Sequence, residues 1–214
     1  MKVKICGLRK EKDIKKSLEL GAWALGFIFY EKSPRFLPPE IAKKIVKKLK
    51  TDIFKKFVGV FVNESISKMI DAQKKVKFQT FQLHGEETPK ILSNIDHQFN
   101  VIKKLNYQDF SNIPLFLKAH PKVSFLIDAP PSFHGSYGGR GELSDWDFAR
   151  KVKERIGSRG KLILAGGLGQ KNMILAKREV EPFAFDLSSS VESGPGEKDH
   201  KKLEKLFSII DKEI

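Results

Sequence analysis

The feature that most limits how this chain can fold is a sustained alternation. Short apolar segments bounded by turn residues are followed, again and again, by segments with helical spacing. The apolar or alternating segments are Lys2–Gly7, Trp23–Tyr30, Phe57–Val62, Thr80–His84, Asn100–Lys104, Val123–Asp128, Lys161–Ala165 and Phe183–Leu187. Between them, Glu11–Leu20 carries Ile14 and Leu18 on one face and stops at Gly21, and Pro38-Pro39 opens a helix with an Ile41, Ile45, Val46, Leu49 stripe. Asn63 is read as the N-cap of a helix bearing Ile66, Met69 and Ile70, and further helices are expected over Glu86–Ile95, Tyr107–Lys118, Asp145–Ile156 and from about Asp199. Strands that alternate with helices run parallel, and eight such units predict an α/β fold: a single-domain (β/α)8 TIM barrel over residues 1–214. That length is near the lower limit for the fold and leaves little room for a second domain.

In a barrel, side chains two apart along a strand share a face, and chemistry gathers at the strands' C-terminal ends. Cys6 shares a face with Lys4, His84 with Gln82, Asp128 with Leu126 and Ser124, and Asp186 with Ala184. Four strands thus bring a thiol, an imidazole and two carboxylates to one rim. Barrel closure puts strand eight beside strand one, so Asp186 either neutralises the inward Lys4 or touches a substrate. Gly166-Gly167 after strand seven and Ser188-Ser189-Ser190 after strand eight offer backbone N–H groups and hydroxyls where barrels often hold a phosphate. A small phosphorylated ligand is therefore expected. The longest irregular stretch, Ala129–Leu143, is rich in proline and glycine and is read as a functional loop.

Charge points elsewhere, and it has to be weighed. The formal net charge of +14 suits a nucleic-acid binder, but the lysines fall on the polar faces of the expected helices and no aromatic residues interleave with them to stack bases. No specific nucleic-acid partner is expected. The single cysteine permits no intramolecular disulfide, the N-terminus lacks secretory-signal features, and the longest apolar run, Ala22–Tyr30, is too short to cross a bilayer. A cytoplasmic protein without a membrane partner is expected, either monomer or homodimer. The five histidines are scattered, so no metal site is expected.

Taken together, several motifs resemble phosphoribosylanthranilate isomerases. They are Lys4-Ile5-Cys6-Gly7, Gly26–Tyr30 with Ser33-Pro34-Arg35-Phe36, Val58–Asn63, Gln82-Leu83-His84-Gly85, Gly166-Gly167-Leu168, Asp186–Ser189, and Pro195-Gly196 followed by Lys198-Asp199. The match runs in order from the first strand to the last helix. The resemblance implies an enzyme of tryptophan biosynthesis that needs no cofactor. Its reaction would convert N-(5-phosphoribosyl)anthranilate into 1-(2-carboxyphenylamino)-1-deoxyribulose 5-phosphate by an Amadori rearrangement. It further implies Asp128 as general acid, Cys6 as general base, Arg35 on the anthranilate carboxylate, and His84 assisting at the same end of the substrate, with Asp186 a candidate substrate contact on the reading above. Gly166, Gly167, Ser188 and Ser189 would hold the phosphate.

For those roles the thiolate of Cys6 should be favoured by nearby positive charge, with Lys4 the candidate, and the Asp128 pKa should be raised by burial or a nearby anion. Two positions depart from the family pattern: Ser190 stands where glycine is usual, and Arg140 where a small hydroxyl residue is usual. The main rival, a phosphosugar isomerase of histidine biosynthesis, would have an aspartate on strand one and repeated halves; this chain has Cys6 and no detectable repeat.

Overall fold

Alternate residues of the strands separate into two apolar layers, as a barrel requires. Val3, Ile5, Leu25, Phe27, Phe57 and Phe61 pack with helix residues such as Ile14, Ala42 and Met69. Cys6, Ala24, Val58, Val60, Ile102, Leu126, Ile163, Ala165 and Ala184 come from strands and strand ends alone and fill the lumen. The structure is a computed structural model that describes residues 1–49, 51–129 and 144–212.

The strands are β1 (Val3–Ile5), β2 (Ala24–Ile28), β3 (Phe57–Phe61), β4 (Thr80–Leu83), β5 (Asn100–Lys104), β6 (Val123–Ile127), β7 (Leu162–Leu164) and β8 (Ala184–Leu187). They form a closed parallel barrel in sequence order, sealed where β1 pairs with β8 and Lys4 lies opposite Asp186. The helices are α1 (Glu11–Glu19), α2 (Pro39–Val46), α3 (Ile66–Val76), α4 (Pro89–Leu92), α5 (Ile113–Ala119), α6 (Trp146–Ile156), α7 (Met173–Val180) and α8 (His200–Asp211). A small antiparallel hairpin, β9 (Glu192–Gly194) with β10 (Glu197–Lys198), follows β8 and was not anticipated from the sequence. Among the described residues no helix is long and apolar enough to cross a membrane.

Three local expectations are corrected. Ser65, not Asn63, caps α3, accepting from the Lys68 N–H at 3.4 Å, while Asn63 takes φ of 51° and accepts from the Glu86 N–H. The helix expected over Glu86–Ile95 shrinks to the single turn α4, because the side chains of Ser93 and Asn94 both donate to the Lys90 carbonyl and end the ladder. The segment Tyr107–Lys118 splits into a 3-10 stretch over Tyr107–Asn112 and α5, since Pro114 has no N–H to continue a helix and is tolerated only in a first turn. None of these changes moves a strand end.

Candidate active site

The four strand-end residues Cys6, His84, Asp128 and Asp186 line one cavity at the C-terminal mouth of the barrel. Arg35, from the loop after β2, joins its wall, as do Gly166 and Gly167 after β7 and Ser188 and Ser189 after β8. Every residue singled out in the sequence as a site candidate is therefore in one place. Arg140 lies outside the described residues, as does most of the loop that contains it. Tyr30, Ser33 and Gln82 also face the cavity and were not picked out.

Cys6 is fixed through its backbone: its N–H donates to the Leu187 carbonyl at 2.8 Å and its carbonyl accepts from Ser188 Oγ at 3.2 Å. Its sulfur needs an empty neighbour. A Cβ on Gly26 of β2 would lie 2.7 Å from Cys6 Sγ, so glycine there makes room for the thiol. Below it, the buried Lys4 Nζ sits 2.6 Å from Asp186 Oδ2. Burial disfavours the Lys4 ammonium, but the charge and hydrogen bond of Asp186 outweigh it, and the Lys4 pKa is raised. Burial pushes the Cys6 pKa up by more than the field of Lys4 pulls it down. The expectation of a favoured thiolate is thus corrected: the lysine is present, but desolvation outweighs it.

Asp128 shows the opposite balance from the one expected. Burial alone would raise its pKa, but the hydrogen bond and charge of His84, the N–H of Ala129 and the field of Lys104 bring it below the usual carboxylate range. His84 Nε2 lies 3.2 Å from Asp128 Oδ2, and the Ala129 N–H donates to Oδ1 at 2.8 Å. The Gln82 amide nitrogen stands 3.1 Å from His84 Nδ1. The turn that carries His84 is pinned by Lys103, whose Nζ donates to the Gly85 carbonyl at 2.6 Å and meets Glu87 at 2.9 Å. Lys104, at the end of β5 opposite Leu126, is buried and was missed, because a Lys-Lys pair closing a weak strand looks like a solvated edge.

Arg35 is where it was expected but is not an ordinary loop arginine. It is buried, and its Nε and Nη2 donate to the Glu192 carboxylate of β9 at 3.0 and 2.7 Å. Glu192 also accepts from Lys198 Nζ at 2.7 Å and from the Gly196 N–H at 3.2 Å. The sequence offered one unused signal for this cluster: an acid and a base six apart flank a Pro195-Gly196 turn.

Gly166 and Gly167 both take positive φ, 79° and 59°, and a Cβ on Gly166 would lie 2.4 Å from the Ala129 nitrogen, inside contact distance. Asn172 ties the turn down, accepting from the Gly169 N–H at 2.9 Å and donating to the Gly167 carbonyl at 3.0 Å. Ser190, the departure noted above, lines the same cavity, and its buried Oγ has no hydrogen-bond partner among the described residues. Also among the described residues, no three His, Cys, Asp or Glu side chains gather as metal ligands.

Comparison with known proteins gives this cavity a family. Residues 3–209 match the family model for N-(5'-phosphoribosyl)anthranilate (PRA) isomerase. The chain is 35% identical over 208 residues to the N-(5'-phosphoribosyl)anthranilate isomerase of Syntrophus aciditrophicus, covering 97% of this chain and 86% of that one. It is 37% identical over 207 residues to the isomerase of Thermotoga maritima, covering 97% and 96%. The crystal structure of the Thermotoga maritima phosphoribosyl anthranilate isomerase superposes with a TM-score of 0.82 at 34% identity, covering 99% of both chains. The barrel and the matched length agree, and the chain belongs to the N-(5'-phosphoribosyl)anthranilate isomerase family.

Proposed function

We propose that the cavity binds N-(5-phosphoribosyl)anthranilate and converts it, without a cofactor, into 1-(2-carboxyphenylamino)-1-deoxyribulose 5-phosphate, with Asp128 as general acid and Cys6 as general base. The observation that carries this reading is that Asp128 and Cys6 face one cavity from well-separated strands, β6 and β1, with two strands between them one way and four the other. A sugar lying between them can be protonated on one side and deprotonated on the other. A related structure, 34% identical with a TM-score of 0.80, is described in complex with reduced 1-(o-carboxyphenylamino)-1-deoxyribulose 5-phosphate, which supports the choice of substrate.

Asp128 gives its proton to the ribose ring oxygen, the C1′–O bond breaks, and the anthranilate nitrogen's lone pair forms the C=N bond of a Schiff base. Cys6 then takes the C2′ proton, and the C2′–H electrons flow into the imine to give an enolamine, which tautomerises to the ketone. At the ends of the substrate, Gly166, Gly167, Ser188 and Ser189 hold the phosphate and Arg35 holds the anthranilate carboxylate, with His84 assisting at that same end and Asp186 as a further substrate contact.

In the free enzyme, Asp128 favours its carboxylate and Cys6 its thiol, so the proton sits on the wrong partner for the first step. Two things reconcile this with the roles. The substrate brings a phosphate and a carboxylate, and added negative charge favours a protonated Asp128. An acid of low pKa and a base of high pKa also leave a small reactive fraction at every pH between them, so activity follows a bell whose limits belong to the pair.

The test follows loss of anthranilate-type fluorescence when the protein meets phosphoribosylanthranilate made in situ, for wild type, Cys6→Ala and Asp128→Ala. Activity in the wild type with near-complete loss in both variants supports reaction and roles together. Activity that survives both substitutions removes the acid–base assignment.

A further inference from the structure

We infer that Glu192 is a positioning residue for substrate recognition: it occupies one edge of the Arg35 guanidinium and so turns the other edge toward the anthranilate carboxylate. This rests on the reading of Arg35 as the carboxylate holder.

A guanidinium has five N–H donors in a rigid plane, and a carboxylate can take them two at a time. Glu192 takes the Nε/Nη2 edge, with Nε at 3.0 Å from Oε1 and 3.1 Å from Oε2, and Nη2 at 2.7 Å from Oε2. Arg35 lines the cavity and Glu192 does not, so Glu192 acts through its partner. The edge formed by Nη1 and the second Nη2 proton is the one left for a ligand.

The pairing is costly to make for nothing. Arg35, Glu192 and Lys198 are all buried, and Lys198 Nζ also donates to the Ser188 carbonyl at 3.3 Å. Two cations around one anion leave the cluster with a surplus positive charge, which suits an anionic ligand. They also hold the guanidinium in a single orientation, so little freedom is lost when the ligand arrives. The contact spans 157 positions and joins the loop after β2 to the hairpin after β8, so no local sequence pattern reveals it.

The atoms suggest a clean substitution. Lys198 and Gly196 both bond Glu192 Oε1, whereas the strongest Arg35 contact is on Oε2. In Glu192→Gln the amide oxygen can keep the Lys198 and Gly196 bonds, while the amide NH2 opposes Arg35 Nη2, donor against donor. The hydrogen bond broken is the one to Arg35, while Lys198 keeps its bond and loses only the charge of its partner.

The experiment measures kcat and KM for wild type, Glu192→Gln and Arg35→Lys, together with calorimetric affinity for inorganic phosphate. A positioning role predicts that Glu192→Gln raises KM about tenfold, changes kcat by less than threefold, and leaves phosphate affinity unaltered. A general loss of structure would weaken phosphate as well. A KM that is unchanged or lower in Glu192→Gln, with Arg35→Lys still raising it, overturns the role of Glu192 and leaves Arg35 in place. If Arg35→Lys changes nothing, the carboxylate reading of Arg35 falls and takes this inference with it. A crystal structure of the wild type with reduced 1-(o-carboxyphenylamino)-1-deoxyribulose 5-phosphate decides the matter even if Glu192→Gln does not fold. The carboxylate should contact the Nη1/Nη2 edge with the Glu192 pair intact, and a Glu192 displaced by the ligand overturns the proposal.

Discussion

Lys4 and Asp186 meet at 2.6 Å across the seam where β8 closes on β1, and they are direct partners in the strand register. Only one carboxylate oxygen is used: Oδ2 faces Lys4, while the buried Oδ1 has no partner among the described residues. Asp186 also lines the cavity. Of the two readings left open by the sequence, the geometry shows the counter-ion to Lys4, and the place of Asp186 on the cavity wall leaves the substrate contact as a proposal.

Removing Lys4 tests the structural half. Lys4→Met fills similar volume but leaves Asp186 buried beside no cation, and breaking a buried pair from one side costs roughly 3–5 kcal/mol. Urea unfolding should show a loss of that order. Adding Asp186→Asn to Lys4→Met should recover much of it, because the uncompensated charge is then gone. A loss below about 1 kcal/mol in Lys4→Met would mean that the seam does not depend on this pair.

Cys6 gives a pH prediction with a definite sign. Its folded pKa is raised by burial, whereas an unfolded thiol titrates at about 8.5. Above that pH the folded state still binds the proton that the unfolded state has lost, so the thiol's contribution to stability is complete below ~8.5 and declines as pH rises toward the folded pKa. Lys104 and Lys198, whose pKa values burial lowers, push stability the other way over the alkaline range. Cys6→Ala retains both lysines, so their own burial costs are common to the two proteins, and the difference reports the thiol together with its coupling to Lys4 and Lys198. Wild type should lose stability relative to Cys6→Ala between pH 8 and 10, and as this is the only cysteine, its alkylation by iodoacetamide should titrate above the ordinary thiol range. A constant difference between the two proteins across that interval would rule out the raised pKa.

How much of this could be read from the sequence depends on the range over which the information acts. Strand alternation is local, so Cys6, His84, Asp128 and Asp186 could each be assigned to the lumen from neighbours two residues away. The glycine and serine endings are equally local, and so is the Asp199 cap of α8. The balance of burial and charge is not. Lys4 was identified correctly as the cation beside Cys6, yet the direction of the thiol's shift depends on how completely the barrel excludes water. Asp128 was expected to be raised because the His84 contact at 3.2 Å joins β4 to β6, and nothing in either strand announces it. Glu192 on Arg35 is the extreme case, since a pairing 157 residues apart exists only once the barrel has closed. Within helices the deciding features are local again, namely Pro114 in α5 and the side-chain hydrogen bonds of Ser93 and Asn94 that end α4.

Gly26 is the position where packing and chemistry constrain the same atom. It sits on β2 opposite Val58 of β3, and a Cβ there would come within 2.7 Å of Cys6 Sγ, 3.2 Å of Cys6 Cα and 3.2 Å of Lys4 Cε. Backbone strain is not the reason for glycine here, because Gly26 is not among the positive-φ positions; the reason is space. One methyl group must displace the thiol, and because Cys6 is tied at both N–H and carbonyl, the sulfur has to rotate rather than the chain shift. Over-packing of this kind costs about 1–3 kcal/mol. Gly26→Ala should destabilise by that amount and should also lower kcat more than it raises KM, since it moves the proposed base without touching Arg35 or the phosphate cradle. Combining it with Cys6→Ala should restore part of the stability, though not all, because the contact to Cys6 Cα remains, and it should restore none of the activity. If Gly26→Ala is as active as the wild type, the sulfur's position is not critical to the reaction, and Cys6 loses its place as the base.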